Sequence, residues 1–570
     1  MKHTTRWAFA LAAAAVAAPA AAQARPEGPL THAARPTAAA ISPEDLRTHL
    51  YILAADSMMG REVGTRGNVM ATGYLAAQAQ RIGLRPAGDN GTFFQTVPLI
   101  QLGLEPGATI SAGGRTLALG TDFIPVPTYG SIFVFAPTFQ AQNTPVVYGG
   151  RVGDPSRMIS PEQARGKIVV FDAPMGPNGQ PSFAFWAGGQ TWDRYADAAG
   201  LAFATLDLTN EGIREFFQGE RMELDHGEPE TATPRVPPAF IVSQSAAAAL
   251  FGRPMTGLQA GAQGGSASGA YAFFKRPAPF PSRNVVGIIP GSDASLRGEY
   301  VAIGAHNDHV GTGKGVDHDS LLVFNRILRP QGADQQPDAF TSQTQAAFAQ
   351  ALAARRANGP ARLDSIFNGA DDDGSGSAAM LEVAQYLMAN RPKRSVIFVW
   401  HTAEEVGLYG SEWFTDHPTV PRESIVAQLN MDMIGRGGPA DLANGGPQYL
   451  ELVGSRRLST QLGDLVEEVN RTGRFGFTFD YGNDAPGHPQ QIYCRSDHAN
   501  YARYGIPVTF FTTGGHSDYH QLTDEPQYID YDKLASVSRF IAAVAQEIGN
   551  RSTRLVVDKP VAGPDAPCEQ

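Results

Sequence analysis

The stretch that most constrains the fold is Ser395–Gly407, in which an apolar run leads into two adjacent glutamates. The run is short, β-branched and aromatic, and it lies between a basic Arg-Pro-Lys-Arg entry and a glycine exit. These properties predict a buried strand that is too short to be a helix. Glu404 and Glu405 follow at its C-terminal end, where open α/β sheets bind ligands. Adjacent carboxylates repel each other, so there is little structural reason to place two of them at the end of a buried strand. A bound metal ion would supply a reason, because one carboxylate could bind the cation while the other transfers protons.

Strand-like and helix-like segments alternate along the rest of the chain. Ser42 is expected to cap a helix that starts at Pro43, because the two residues match the preferences for N-cap and N1. We predict further helices at 68–82, 342–357, 378–389, 459–472 and 532–549, and further strands at 93–100, 284–291, 300–305, 424–431 and 505–511. This alternation predicts an α/β fold with a mostly parallel twisted sheet flanked by helices.

Composition limits the classes of protein that remain. The chain has 570 residues, which is too long for one simple core and predicts two or three domains. Charged residues make up 18% and hydrophobic residues 42%, a composition typical of a globular protein. A net charge of -11 argues against a nucleic-acid binder, which would carry a basic stripe.

The first residues are expected to be a signal peptide, residues 1–24. Lys2 and Arg6 precede an alanine-rich apolar run, and Ala22-Gln23-Ala24 offers a cleavage site. The run is too short to favour a permanent membrane span, and no later stretch reaches spanning length without charges. We therefore expect an exported protein, periplasmic or secreted. Cys494 and Cys568 are the two cysteines, and whether they form a disulfide stays open.

Histidines and carboxylates recur where predicted strands end. They are His306, the Asp371–Asp373 cluster, Glu404, Glu405, Asp432 and His520. Parallel strands bring such groups to one edge of the sheet. Histidine and carboxylate ligands without cysteine suit catalytic zinc, with cobalt or manganese as substitutes. So many acidic groups need more than one ion, and two cations about 3.5–4 Å apart would neutralise them and activate water.

The order of these motifs resembles the secreted di-zinc aminopeptidases of bacteria, a family that includes the glutamate carboxypeptidase-like ectoenzymes. The motifs are His-x-Asp, Gly-Ala-Asp-Asp-Asp-Gly-Ser-Gly, Glu-Glu-x-Gly, Asn-Met-Asp-Met-Ile-Gly, Ser-Asp-His and Tyr-His, within about residues 284–549. The resemblance implies that Asp372 bridges two zinc ions. It also implies that His306 and Asp432 hold one ion, while Glu405 and His520 hold the other.

The same resemblance implies three catalytic roles. Glu404 would be the general base that takes a proton from the metal-bridging water and passes it to the leaving amine. Asp308 would orient the His306 imidazole. Tyr519 would stabilise the oxyanion. The peptide bond between Asp372 and Asp373 is implied to be cis.

Other ligand-like side chains have simpler explanations. Asp371 and Asp373 are expected to be turn and N-cap acids, and His401 to pack or hydrogen-bond at its strand end. His516 is expected to be exposed. Ser496, Asp497 and His498 are expected to shape the site without binding metal, and the same non-ligand reading applies to His309, Asp317, His318 and Asp319.

The domain organisation follows from changes in texture along the chain. Residues 125–276 contain short β-like runs and dense turns, and they resemble an inserted protease-associated domain, with a generic β-rich insertion as the alternative. Around it we expect an N-terminal part of the peptidase domain at 25–124, a catalytic domain at 277–550 and a tail at 551–570. The stretch between His306 and Asp372 is longer than in compact relatives and is typical of a lid or rim.

The sequence therefore predicts an exported di-zinc exopeptidase that acts on peptides, most simply as an aminopeptidase. Three alternatives stay open. They are a carboxypeptidase or dipeptidase with the same metal centre, a glutaminyl cyclase-like transferase, and a non-catalytic receptor-like binding module. Side-chain specificity and oligomeric state are not readable from the residues.

Overall fold

The computed structural model describes residues 27–126, 138–152, 157–172, 193–209, 214, 217–225, 227, 237–357 and 359–570. The chain divides into two compact units, one comprising residues up to Gln95 with Arg283–Gln570, and the other Thr96–Ser282. The second unit contains the insertion predicted at 125–276 and begins earlier. The predicted signal peptide lies outside the described residues.

The boundary between the units falls inside the strand predicted at 93–100. The structure contains two strands there, Phe94–Val97 and Leu99–Leu104, which belong to different sheets. Pro98 separates them, because proline has no N–H to donate to a sheet and fixes its own φ. One proline thus divides a β-like run between two sheets.

Within the described residues, a nine-stranded sheet forms the centre of the first unit. One of its strands, Phe94–Val97, pairs with Ser282–Ile289 beside the main path. The other strands lie in the order Arg85–Pro86, Ser282–Ile289, Ser395–His401, Tyr300–His306, Ile425–Met431, Val508–Thr512, Tyr449–Val453 and Thr478–Asp480.

The four central strands are parallel, and antiparallel pairs flank them on both sides. Ser395–His401 runs parallel to Tyr300–His306 and antiparallel to Ser282–Ile289. All of its side chains are buried, as expected for a strand covered on both faces. The predicted α/β fold is confirmed. The prediction of a mostly parallel sheet did not specify the antiparallel pairs at its two flanks. The parallel centre brings His306, His401 and Met431 to the same edge.

Helices flank this sheet close to their predicted bounds. Ser42 caps the first one, since its side-chain oxygen accepts a hydrogen bond of 3.1 Å from the N–H of Asp45. The helices of the first unit are Pro43–Leu53, Arg66–Ile82, His318–Leu328, Ser342–Arg356, Gly376–Ala389, Tyr409–Asp416, Thr460–Gly473, His498–Ala502 and Tyr531–Asn550. The long stretch after His306 holds two of these helices and an antiparallel pair of strands, Thr312–Asp317 and Leu363–Ile366.

The second unit is rich in β-structure, as its sequence texture predicts. One of its described sheets has the strand order Arg115–Thr116, Thr109–Ala112, Gln263–Tyr271, Phe139–Arg151, Ile168–Asp172, Gly200–Phe203, Ala239–Val242 and Phe123–Val126. A smaller sheet consists of Arg221–Leu224, Leu99–Leu104 and Phe273–Pro277. Helices Pro161–Ala164 and Gln244–Phe251 accompany these sheets.

A disulfide and hydrogen bonds attach the C-terminal tail to the rest of the first unit. Cys494 and Cys568 form a disulfide, which resolves the pairing that the sequence left open. The side chain of Gln570 accepts a hydrogen bond from the N–H of Tyr493 and donates one to the carbonyl of Asn483. Among the described residues, no helix combines the length and the apolar character needed to cross a membrane.

Removing the disulfide should destabilise the first unit. Its cysteines are 74 residues apart, so the bond restricts a long segment of the unfolded chain. Changing Cys494 and Cys568 together to serine should lower the free energy of unfolding by about 2–4 kcal/mol. Urea unfolding followed by fluorescence measures this, with reduced wild type as the matched reference. An unchanged midpoint would contradict the expectation.

Candidate metal centre

His306 ends a central strand with its imidazole held in one orientation. Its Nδ1 donates a hydrogen bond of 3.1 Å to the main-chain carbonyl of Asp308. This leaves Nε2 facing three carboxylates, at 3.0 Å from Asp372, 3.7 Å from Asp432 and 4.0 Å from Glu404. The imidazole is therefore aimed at the predicted site.

Asp308 contacts the His306 imidazole through its main chain and not through its side chain. Its carboxylate lies 3.8 Å from His306 Nδ1, too far for a hydrogen bond. It instead accepts hydrogen bonds from the N–H groups of Glu404, at 3.2 Å, and Glu405, at 3.4 Å. Asp308 thus orients His306 through its carbonyl and fixes the glutamate turn through its side chain.

A buried loop after Gly369 presents Asp372. The Asp524 carboxylate accepts hydrogen bonds from the N–H groups of Asp371, at 2.9 Å, and Asp372, at 3.1 Å. Arg61 donates to the carbonyls of Asn368, at 2.6 Å, and Gly369, at 2.9 Å. All described peptide bonds are trans, including the Asp372–Asp373 bond for which the resemblance implied the cis form.

The two oxygens of Asp372 face different imidazoles. Oδ1 lies 3.0 Å from His306 Nε2, while Oδ2 lies 2.9 Å from His520 Nε2. This geometry suits a carboxylate that bridges two ions. The flanking Asp371 and Asp373 act as turn acids, as predicted: Asp371 accepts a hydrogen bond from Gly435, and Asp373 accepts one from Gly376 at the start of a helix.

The structure brings the predicted metal ligands together in two adjacent groups. His306, Glu404 and Asp432 form one group, and the other contains His309, Asp372, Glu405 and His520. In each group the candidate ligand atoms lie within 4.8 Å of one another. The mixture of imidazole and carboxylate fits zinc.

Orphaned polar atoms provide a second test of the fit. Nε2 of His306 and Nε2 of His309 are buried, and neither makes a hydrogen bond of good geometry among the described residues, although an oxygen of Asp372 lies 3.0 Å from the former. Such groups are costly unless they find a ligand or an ion. The residues present therefore fit a bound metal.

His309 is the member of these groups to which the sequence analysis gave no role in the site. Its Nδ1 lies 2.6 Å from Oε1 of Glu405, and its side chain is fully buried. The signal was present in the sequence, because His309 follows the His-x-Asp motif at the same strand end. The sequence alone does not show that the loop places this second histidine against Glu405.

Burial and charge act against each other within the site. Burial favours the neutral form of Asp372, but His306 and His520 hold the pKa of its carboxyl well below the usual range. Burial also lowers the pKa of His306, yet Glu404 and Asp432 outweigh it and raise that pKa well above the ordinary value. A cation that binds here replaces protons on the imidazoles, so binding should release protons.

Glu404 and Glu405 differ although they are neighbours. Burial raises the pKa of Glu404 well above its ordinary value, with further contributions from the charges of Asp432 and Glu405. Burial opposes ionisation of Glu405 too, but His520 and His309 lower its pKa to about 2. Glu405 is therefore the better anionic ligand, and Glu404 is the better proton acceptor.

Tyr519 lies beside this centre. Its ring stacks on His520 with a centroid distance of 4.1 Å, and its hydroxyl accepts a hydrogen bond of 3.0 Å from Arg495. Arg495 also pairs with Asp334 at 3.0 Å. Since Tyr519 accepts from Arg495, its own proton is available to a substrate.

A cavity of about 220 Å³ opens onto the centre. Asp372, Glu404, Asp432 and His520 line one side, together with Tyr519. A substrate in this cavity can reach every predicted catalytic group except Asp308.

One predicted neighbour of the site is placed differently, and two are placed as expected. His516, expected to be exposed, is fully buried, and its Nε2 lies 3.2 Å from Asp371. Ser496 shapes the site as expected, because its hydroxyl donates a hydrogen bond of 2.8 Å to Asp432. His401 packs at its strand end as expected, at 3.0 Å from the Tyr501 hydroxyl.

Replacing His309 with glutamine should weaken metal binding by about 10- to 100-fold. Glu405 would lose its close imidazole partner, and the group would lose one of its candidate ligands. Competition with a chromophoric chelator measures the affinity for zinc. The matched control is His417→Gln, which changes an exposed histidine outside both groups. Equal affinity in the two variants would exclude a role for His309 in metal binding.

Comparison with known proteins places the chain among peptidases. Residues 347–545 match peptidase family M28. The chain is 28% identical over 186 residues to a vacuolar membrane protease of Candida glabrata, covering 32% of this chain and 18% of that protein. It is 48% identical over 79 residues to an aminopeptidase of Pseudomonas aeruginosa, covering 13% of this chain and 15% of that protein. The matches thus span less than a fifth of the length of these relatives.

Among solved structures, the chain is similar to an aminopeptidase from Aneurinibacillus sp. strain AM-1. The TM-score is 0.49 at 16% identity, over 92% of this chain and 98% of that chain. The segment that matches peptidase family M28 carries Asp372, Glu404, Glu405, Asp432 and His520.

Proposed function

We propose that the protein is an exported aminopeptidase that holds two zinc ions and removes N-terminal residues from peptides. The observation that carries the proposal is the placement of Glu404. Its carboxylate belongs to the same group as His306 and Asp432, and it lines the cavity that a substrate would enter. The match to peptidase family M28 supports the same reaction class.

The two groups of side chains would hold the two ions. Asp372 would bridge them, with His306 and Asp432 on one ion and Glu405 and His520 on the other. Bound zinc would polarise the scissile carbonyl and make water acidic enough to lose a proton. Cobalt or manganese could replace zinc with this ligand set.

Glu404 would transfer the proton that hydrolysis requires. Its raised pKa suits a carboxylate that first accepts a proton from water and then delivers it to the leaving nitrogen. Asp308 would fix the Glu404 main chain by the hydrogen bonds described above. Glu404 is thus a catalytic residue in this proposal, and Asp308 is a positioning residue.

Tyr519 would donate its hydroxyl proton to the carbonyl oxygen as negative charge develops there. Arg495 would support this role by occupying the acceptor side of that hydroxyl. The Arg495–Asp334 pair also bears on specificity. A carboxypeptidase needs a cation for the substrate carboxylate, and among the residues lining the cavity the arginine is already paired.

Acidic groups at the centre favour a substrate with a free amine. Glu404 and Asp432 face the cavity and can attract an ammonium group. The disulfide supports export, because such bonds persist in oxidising compartments. The N-terminal signal-peptide pattern supports export independently.

A panel of aminoacyl-nitroanilides tests the activity, with N-acetylated and C-terminally blocked peptides alongside. Zinc-reconstituted wild type should cleave substrates with a free α-amine, and chelation should abolish cleavage. Glu404→Gln should lower kcat by about a hundredfold to ten-thousandfold. Glu547→Gln, an exposed change far along the chain, should leave kcat unchanged.

Zinc content separates the two possible roles of Glu404. Full zinc content in the inactive Glu404→Gln protein identifies a proton carrier, whereas loss of zinc would identify a ligand. Cleavage restricted to N-blocked peptides with a free C-terminus would replace the proposal with a carboxypeptidase. Absence of cleavage by the zinc-loaded wild type would refute the aminopeptidase.

A further inference from the structure

The cavity beside the metal centre has an acidic wall that the proposed reaction does not use. Glu451 lines it from the strand Tyr449–Val453, and Asp480 lines it from the adjacent parallel strand. The two residues are direct partners in the pairing register. Two carboxylates thus lie side by side on the wall away from the predicted metal ligands.

Glu451 is buried and incompletely satisfied. It is 2% exposed, and its Oε1 has no hydrogen-bond partner among the described residues. The Tyr449 hydroxyl lies 3.0 Å from Asp480 Oδ2 and 3.4 Å from Glu451 Oε2. One hydroxyl carries one proton, so Tyr449 cannot donate fully to both carboxylates.

The cations near this wall have other partners. Within the residues that line the cavity, Arg495 pairs with Asp334, and His520 pairs with Asp372 and Glu405. Lys533 approaches from behind Tyr449, but its ammonium group donates to the carbonyls of Gly437 and Gly446. The described residues therefore provide no ion-pair partner for Glu451 or Asp480.

Burial of an unpaired carboxylate has a measurable consequence. Burial raises the pKa of Glu451 to about 7, and the neighbouring charge of Asp480 adds to the effect, while side-chain hydrogen bonding with Asn483 and Tyr449 opposes it without supplying a positive charge. An amide or an apolar side chain would fill the same space without this cost. The carboxylate is thus better explained by a ligand than by packing.

Apolar side chains form part of the remaining cavity lining. Met433, Leu442, Ile492 and Phe510 line the same cavity. Gly514 leaves room in front of the acid, since a Cβ there would lie 3.3 Å from Glu451 Oε2. The cavity thus combines apolar side chains with an anionic group, which suits a long aliphatic chain with a terminal cation.

We propose that this cavity binds the side chain of the N-terminal substrate residue and selects lysine or arginine through Glu451 and Asp480. The inference rests on the proposed aminopeptidase function and specifies its substrate class. The aliphatic stem would contact the apolar wall, and the ammonium or guanidinium group would supply the missing partner of Glu451.

The test compares lysyl- and norleucyl-nitroanilide, because the two side chains have similar length and differ in charge. Wild-type enzyme should show kcat/KM about 10- to 100-fold higher for lysyl substrate, the size expected for a charge-assisted contact. Glu451→Gln should reduce this ratio about tenfold or more, and Asp480→Asn should reduce it less, because Asp480 is already partnered by Tyr449. Glu547→Gln should keep the wild-type ratio.

A binding measurement tests the inference without turnover. Calorimetric titration of zinc-loaded Glu404→Gln protein should give tighter binding of lysinamide than of norleucinamide, and the added Glu451→Gln change should remove the difference. Equal binding of the two amides would overturn the inference. Equal cleavage of both nitroanilides by wild type would overturn it too while leaving the aminopeptidase intact. No cleavage of any nitroanilide would refute the aminopeptidase, and the titration would still decide the pocket.

Discussion

The rest of the site depends on how the Asp372 carboxylate is held. Its two oxygens face His306 and His520, which come from opposite ends of the catalytic sequence. Asp524 and Arg61 fix the loop by hydrogen bonds to its main chain, so Asp372 needs no side-chain partner other than the imidazoles. A main-chain scaffold of this kind leaves the carboxylate free for a cation, at the expense of burying an arginine completely.

Carboxylates outnumber imidazoles around Asp372. The charges near each carboxylate explain why the neighbours Glu404 and Glu405 have different proposed roles. Glu405 lies near two histidines and stays ionised, while Glu404 lies near Asp432 and tends to keep a proton. The same rule applies at the far wall of the cavity, where Glu451 has the acid Asp480 beside it and no cation as a partner among the described residues. Adjacent groups of one type thus acquire different chemistry from their surroundings.

Local sequence patterns predicted the strands, the helices and the groups at strand ends. Parallel strands align their C-terminal ends, so His306, Glu404 and Asp432 could be expected at one edge before the structure was known. Contacts between distant segments could not be read in this way. The hydrogen bonds of Asp524 to the Asp372 loop and the burial of His516 against Asp371 join residues more than 140 positions apart. The strand predicted at 93–100 is split because a single proline, Pro98, interrupts a continuous β-like pattern.

The disulfide also has a consequence for the shape of the cavity. Cys494 lies between Ile492 and Arg495, both of which line the cavity, and the attached tail ends in Gln570, which holds the carbonyl of Asn483 on the same wall. The oxidised bond is therefore part of the frame of the cavity that we propose selects the substrate side chain. In a chain that has folded in a reducing compartment, the metal ligands would be in place, but the cavity wall near Cys494 would be less rigidly held. Compartment would then govern which substrates are distinguished as well as how stable the fold is.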